Sequence, residues 1–134
     1  MSADPKIILY VDDDPDDLAM LRDAISEMGA NYQIREAFDG LHALELLQQM
    51  AREETLPCLI VLDINMPRMD GKQTLVAIQN DKLLASVPVV LFSTSSSSLD
   101  KTFSQKKNVE LITKPIDYRA LQNAAGKLLS YCKV

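Results

Sequence analysis

Side chains that can carry chemistry follow four short apolar runs of the sequence. In chain order they are Asp12, Asp13, Asp63, Ser93, Thr94 and Lys114. Several carboxylates at one place repel each other unless a cation joins them, and Mg²⁺ prefers oxygen ligands of this kind. A carboxylate can also be a nucleophile toward phosphorus, while a lysine and a hydroxyl can neutralise and hydrogen-bond the phosphoryl oxygens. If the fold brings these residues together, they predict Mg²⁺-dependent phosphoryl transfer to an aspartate.

The apolar runs that precede these residues predict buried strands, and the segments between them have the period of helices. The expected strands are residues 7–11, 59–62 and 89–92, a weaker one at 109–112, and an alternating edge strand at 32–37. A helical stripe such as Leu41, Leu44, Leu47 and Ala51 should face the core. The order βα repeated five times predicts an α/β fold with a doubly wound parallel sheet in one domain, residues 1–134. In such a sheet, ligands bind beyond the carboxyl ends of the strands, where the reactive residues lie.

Composition excludes several classes of partner and site. The net charge of −5 argues against direct nucleic-acid binding, which depends on neutralising phosphates with Lys and Arg. No apolar run approaches the roughly 18 residues of a membrane span, and the first residues do not resemble a signal peptide, so we expect a cytoplasmic protein. Cys58 and Cys132 are far apart and are expected to be reduced thiols. A single histidine makes a zinc site improbable.

Some of the acidic residues have a structural explanation. Asp14, Asp16 and Asp17 surround Pro15 at the start of a predicted helix. Asp14 can cap that helix, and the two later acids suit the positive end of its dipole. One cap is enough for a helix, so helix capping explains neither Asp12 nor Asp13.

Four motifs in this order resemble the response-regulator receiver family. They are Val11-Asp12-Asp13, the segment from Leu62 to Gly71, Phe92-Ser93-Thr94 and Thr113-Lys114-Pro115, and the resemblance runs from Lys6 to about Tyr131. It implies a five-stranded, flavodoxin-like sheet with strand order 2-1-3-4-5. It also implies Asp63 as phosphoacceptor, Asp13 as an Mg²⁺ ligand and Asp12 as a partner of metal-bound water. Asn65 would offer a backbone carbonyl to the metal. Ser93 would provide the switch hydroxyl, with Thr94 next to it as a further catalytic residue, and Lys114 would be the phosphate-binding cation.

The resemblance also predicts partners, and two departures from the family concern the output surface. We expect a sensor histidine kinase or a phosphotransfer protein as phosphodonor, an unidentified protein as target, and we keep a phosphorylation-dependent homodimer as an option. Leu111 stands where many receivers have an aromatic residue, and the fourth helix begins in the serine run 95–98. Three other functions stay open at this point. They are an aspartate-nucleophile phosphatase, although it usually has an acid where Asn65 stands, a flavin binder, and a receiver that never takes phosphate.

Overall fold

Five strands alternate with five helices along the chain. The structure is a computed structural model that describes residues 6–28, 31–94 and 97–132. The elements are β1 (Lys6–Val11), α1 (Pro15–Glu27), β2 (Tyr32–Ala37), α2 (Gly40–Arg52), β3 (Leu59–Leu62), α3 (Gly71–Asn80), β4 (Val89–Ser93), α4 (Ser98–Lys107), β5 (Glu110–Thr113) and α5 (Tyr118–Leu129), followed by a short 3₁₀ helix (Ser130–Cys132). Of the serine run, residues 95 and 96 lie outside the described part.

The five strands form one parallel sheet in the order β2-β1-β3-β4-β5. The expected doubly wound, flavodoxin-like fold is confirmed, and the alternating segment 32–37 is an edge strand as predicted. β3 and β4 are buried along their whole length, which explains their continuous apolar sequences. The chain leaves β1 toward β2 on one side and returns to β3 on the other, so a crevice opens at the carboxyl end of β1.

Each of the five α-helices is preceded by a residue whose side-chain oxygen accepts a hydrogen bond from a backbone N–H of the first turn. These caps are Asp14, Asp39, Asp70, Ser97 and Asp117. Such a side chain satisfies one of the free N–H groups of a helix start. The capping role expected for Asp14 is therefore confirmed.

The stripe predicted for α2 is confirmed at Leu47 and wrong at Leu41, while Leu44 and Ala51 are partly buried against the core. The buried residues of α2 are Gly40, Ala43, Leu47 and Met50, whereas Leu41 is 42% exposed. The reason is a close approach at the start of the helix. A Cβ added at Gly40 would lie 2.1 Å from Thr74 Oγ1 in α3, so the glycine edge of α2 is the edge that packs.

The prediction of two reduced thiols is also wrong. Cys58 and Cys132 form a disulfide with their Cα atoms 5.1 Å apart. The sequence places them 74 residues apart, but the terminal 3₁₀ helix packs beside the start of β3 and brings the sulfurs together. Within the described ranges, no helix has both the length and the apolar character needed to cross a membrane.

Candidate functional site

Three carboxylates converge at the carboxyl ends of β1 and β3. Asp12 and Asp13 directly follow β1, and Asp63 directly follows β3. One carboxylate oxygen from each lies within 4.8 Å of the others. Asp12 and Asp63 are buried, whereas Asp13 is exposed, so the cluster opens to solvent on one side.

The Asp12 carboxylate is held by three groups from different parts of the chain. Its Oδ2 accepts hydrogen bonds from the Tyr10 hydroxyl at 2.8 Å and from Lys114 Nζ at 2.6 Å. Its Oδ1 accepts from the backbone N–H of Asp14 at 2.9 Å. Burial first, and the charge of Asp12 second, raise the pKa of Tyr10 far above its usual range. The hydroxyl therefore remains a proton donor to Asp12.

Lys114 provides a positive charge beside the carboxylate cluster. It follows β5, and its Nζ lies 2.8 Å from Asp17 Oδ2 and 3.5 Å from Asp63 Oδ2, in addition to its bond with Asp12. Burial acts to lower the pKa of Lys114. The hydrogen bonds to Asp12 and Asp17 outweigh burial and hold that pKa above its ordinary value. The side chain therefore stays an ammonium ion.

Asp63 holds its proton unusually well in the absence of a metal. Burial first, and repulsion by Asp12 second, raise the pKa of Asp63 from 3.8 to about 7, although Lys114 and the Asn65 backbone N–H act in the opposite direction. A buried carboxyl group with like charges nearby ionises less readily. Additional positive charge at the cluster would favour the ionised, nucleophilic form.

The remaining predicted site residues surround this centre. Ser93 is the last residue of β4 and is fully buried, and its carbonyl accepts a 2.8 Å hydrogen bond from the backbone N–H of Lys114. Thr94 and Asn65 are exposed at the rim, one after Ser93 and two after Asp63. The topology therefore brings all six strand-end residues to one edge of the sheet.

The loop between Asp63 and α3 is fixed tightly. Gly71 N–H donates to the Ile64 carbonyl at 2.8 Å, and a Cβ at Gly71 would lie 2.1 Å from the Asp63 carbonyl oxygen. Arg68 has a positive φ of 64° and donates through Nε and Nη2 to Asp39 at 2.9 and 2.5 Å. Gly71 therefore permits close packing of the start of α3 against the backbone of Asp63.

Two contacts were missed by sequence reasoning. Tyr10 was assigned only to a strand, although its position two residues before Asp12 puts both side chains on one face. Asp17 was assigned only to the helix dipole, and that assignment is incomplete because Asp17 also pairs with Lys114. The spacing was visible for Tyr10, but no local signal links Asp17 to a lysine 97 residues away.

Comparison with known proteins agrees with this fold. Response regulator Rcp1 of Synechocystis sp. is 33% identical over 107 residues, which are 78% of this chain and 73% of Rcp1. The crystal structure of the phosphorylated cyanobacterial phytochrome response regulator RcpA superposes with a TM-score of 0.86 at 28% identity, covering 95% of this chain and 93% of that one. The Mn²⁺-bound structure of Rcp1 gives a TM-score of 0.82 at 30% identity, covering 94% and 93%.

The family model for the response regulator receiver domain matches residues 8–126. These residues include β2 to β5, β1 from Ile8 onward, and the whole carboxylate cluster. The chain belongs to the response regulator receiver domain family.

Proposed function

We propose that the protein is a receiver that accepts a phosphoryl group on Asp63 from a phosphohistidine of a sensor kinase. The observation that carries this proposal is the grouping of Asp63 with two other carboxylates within 4.8 Å and with Lys114 Nζ at 3.5 Å. Phosphorylation then changes the interaction surface of the protein. The only reaction that it catalyses is its own phosphorylation and dephosphorylation.

The transfer makes one bond and breaks one bond. A carboxylate oxygen of Asp63 attacks phosphorus, the phosphorus–nitrogen bond of the phosphohistidine breaks, and the imidazole leaves with the electron pair and takes up a proton. Negative charge spreads over the phosphoryl oxygens during this step. Lys114 provides a permanent positive charge within reach of those oxygens. Ser93, and Thr94 beside it, supply hydroxyl groups that can donate to the acyl phosphate.

The residues present fit a hard divalent cation, and we propose Mg²⁺. The carboxylates of Asp12, Asp17 and Asp63 surround the Lys114 ammonium, and Asp13 lies beside Asp12 and Asp63. Oxygen ligands and an excess of negative charge suit Mg²⁺, which usually binds one or two carboxylates together with phosphate oxygens. Asp13 and Asp63 would be direct ligands, Asp12 would hold a coordinated water, and the Asn65 backbone carbonyl would complete the set. When bound, the ion supplies positive charge to the phosphoryl oxygens. The related Rcp1 has been crystallised with Mn²⁺, which supports this choice.

The direct test is labelling with acetyl phosphate followed by intact-mass measurement. The wild type should gain one phosphoryl group with Mg²⁺ and none with excess chelator. Asp63→Asn should gain none under either condition. Asp16→Asn is the matched control because Asp16 is an exposed acid near the site, and it should be labelled like the wild type. Equal labelling of wild type and Asp63→Asn would exclude Asp63 as the phosphoacceptor.

We propose α4 and the segment before it as the part of the surface that changes. The buried residues of α4 are polar, Asp100 and Ser104, and Leu99 is 76% exposed. Lys72 of α3 holds α4 by charge, because it pairs with Asp100 at 2.7 Å and lies 5.4 Å from the centre of the Phe103 ring. Few apolar contacts hold this helix, and local stability is lowest where such contacts are few.

Hydrogen exchange with and without beryllofluoride tests the position of that change. The largest change in protection is expected between residues 94 and 103, of which residues 95 and 96 lie outside the described part. Little change is expected at Leu111, which is half-buried and lacks the aromatic ring found there in many receivers. A maximum at Leu111, or on α1 alone, would exclude this route for the signal.

We also propose that residues 1–134 form a single receiver domain that acts in the cytoplasm. The chain covers 73% of Rcp1 and over nine-tenths of the crystallised Rcp1 and RcpA chains. RcpA is described as a phytochrome response regulator, so a phytochrome-type histidine kinase is the first phosphodonor to test, with a phosphotransfer protein as the second. Radiolabel transfer from the autophosphorylated kinase to wild type, but not to Asp63→Asn, is the expected result. A pull-down with and without beryllofluoride would then identify the target protein and any homodimer.

A further inference from the structure

The Lys114 ammonium lies nearer to two other carboxylates than to the proposed phosphoacceptor. Its Nζ is 2.6 Å from Asp12 Oδ2, 2.8 Å from Asp17 Oδ2 and 3.5 Å from Asp63 Oδ2. The two shorter contacts are hydrogen bonds. A lysine has three N–H donors on one atom, so the position of that atom decides which carboxylate it neutralises. In this state Lys114 is held on the α1 side of the cluster.

Asp12 and Asp17 differ in how much they depend on this lysine. Asp12 also accepts from the Tyr10 hydroxyl and from the Asp14 backbone N–H, so it keeps two partners if Lys114 moves. Within the ranges that the structure describes, Lys114 is the one side-chain partner of the Asp17 carboxylate. Asp17 is therefore the carboxylate that is left without a described side-chain partner if the lysine turns fully toward Asp63.

The position of Asp17 is rigid rather than adjustable. It is the third residue of α1, whose start is fixed by the Asp14 cap and by Pro15 in the first turn. The next residue, Leu18, and then Leu21 are buried in the core between α1 and the sheet. The Asp17 side chain is about 30% exposed and cannot follow Lys114 across the cluster without moving the helix.

We propose that Asp17 is a positioning residue that holds Lys114 away from Asp63 and competes with the phosphoryl group for it. This inference rests on the proposed function, because it gives Asp17 a role in the phosphorylation of Asp63. A phosphoryl group on Asp63 brings close to two negative charges and offers strong acceptors to the ammonium. A shift of the Lys114 Nζ toward those acceptors weakens its 2.8 Å hydrogen bond with Asp17, because Asp17 is held on α1 and does not move with the ammonium. Asp17 thus favours the unphosphorylated arrangement and sets how readily the phosphorylated one forms.

The test is the affinity for beryllofluoride at saturating Mg²⁺, measured by ¹⁹F NMR titration. Asp17→Asn keeps the shape of the side chain but weakens its hold on Lys114. Asp16→Asn is the control, because it removes the same charge from the same helical turn and Asp16 has no contact with Lys114 in the described structure. Asp17→Asn should bind beryllofluoride about three- to tenfold more tightly than Asp16→Asn, the range expected for one partly exposed, charge-assisted hydrogen bond.

A second readout separates competition from a general structural effect. Affinity for Mg²⁺ alone is measured in the same variants, and neither should bind the cation more tightly, because each has lost a negative charge. Damage to the fold would weaken both ligands, whereas competition tightens beryllofluoride alone. Equal beryllofluoride affinity in Asp17→Asn and Asp16→Asn, or weaker binding in Asp17→Asn, overturns the role of Asp17 and leaves the proposed function standing. Failure of the wild type to bind beryllofluoride overturns the proposed function and this role with it.

Discussion

Breaking the Cys58–Cys132 disulfide should destabilise the protein without removing its function. The bond joins the segment before β3 to the terminal 3₁₀ helix, at the end of the sheet opposite the carboxylate cluster. Cys132 is 2% exposed, and Lys6 Nζ donates to its carbonyl at 2.6 Å, so the chain end is packed against the sheet as well as crosslinked. The perturbation is reduction of the wild type, compared with Cys58→Ala/Cys132→Ala.

The magnitude follows from the length of the loop that the bond closes. A crosslink across 74 residues removes conformational entropy from the unfolded chain. The chain-entropy relation gives about 4 kcal/mol for a loop of this size at 25 °C. That is a large part of the roughly 5–15 kcal/mol by which small domains are stable. With a urea dependence of about 2 kcal/mol per molar, the unfolding midpoint should fall by roughly 2 M.

Urea unfolding followed by circular dichroism, with and without dithiothreitol, measures this effect. Dithiothreitol should lower the midpoint of the wild type and leave the double alanine variant unchanged, because that variant has no bond to reduce. The reduced wild type and the double alanine variant should both still be labelled by acetyl phosphate, because the disulfide lies at the opposite end of the sheet from the carboxylate cluster. A wild type whose midpoint is the same with and without dithiothreitol would refute the reasoning, as would an equal effect of dithiothreitol on the double variant.

The remaining predictions concern charge and packing around Asp63. Burial and the neighbouring acids raise the pKa of Asp63 from 3.8 to about 7, so without metal the folded state binds this proton more tightly than the unfolded chain does. The free energy of unfolding should therefore fall as pH rises from 3.8 to about 7, and this fall should be absent from Asp63→Asn; parallel pH curves for the two proteins would contradict it. In isothermal titration, Asp13→Ala should lose much more Mg²⁺ affinity than Asp16→Ala. The second variant removes only the interaction of one charge with the helix dipole, which contributes about 0.3–1 kcal/mol to stability. Similar losses of affinity would exclude Asp13 as a ligand. Gly71→Ala should destabilise the fold in urea by about 1–3 kcal/mol, because its Cβ would lie 2.1 Å from the Asp63 carbonyl oxygen. Gly126→Ala is the control and should stabilise by about 0.5–1 kcal/mol, because among the described residues its Cβ would meet only the Met28 side chain, at 3.5 Å, inside a helix; the same sign for both would contradict the packing argument.

The sequence by itself determined the fold and the edge of the sheet where the reactive residues meet. Continuous apolar runs such as Leu59–Leu62 can be buried on both faces only in a covered parallel sheet, and alternation with helices leaves few topologies. In every such topology, the carboxyl ends of the strands point the same way. Asp12, Asp63 and Lys114 had to reach one edge, whatever the details of packing.

Only the tertiary structure decided which atoms touch within and around that edge. The pairing of Lys114 with Asp17, and of Cys58 with Cys132, joins residues 97 and 74 positions apart. At the start of α2, the packed edge follows from the approach of Gly40 to α3 and not from the leucine spacing, which places Leu41 there. The spacing of apolar residues along a segment indicates which of its side chains face the core and which face solvent. They carry no information on the distance and rotation between two elements, and those two quantities set every long-range contact.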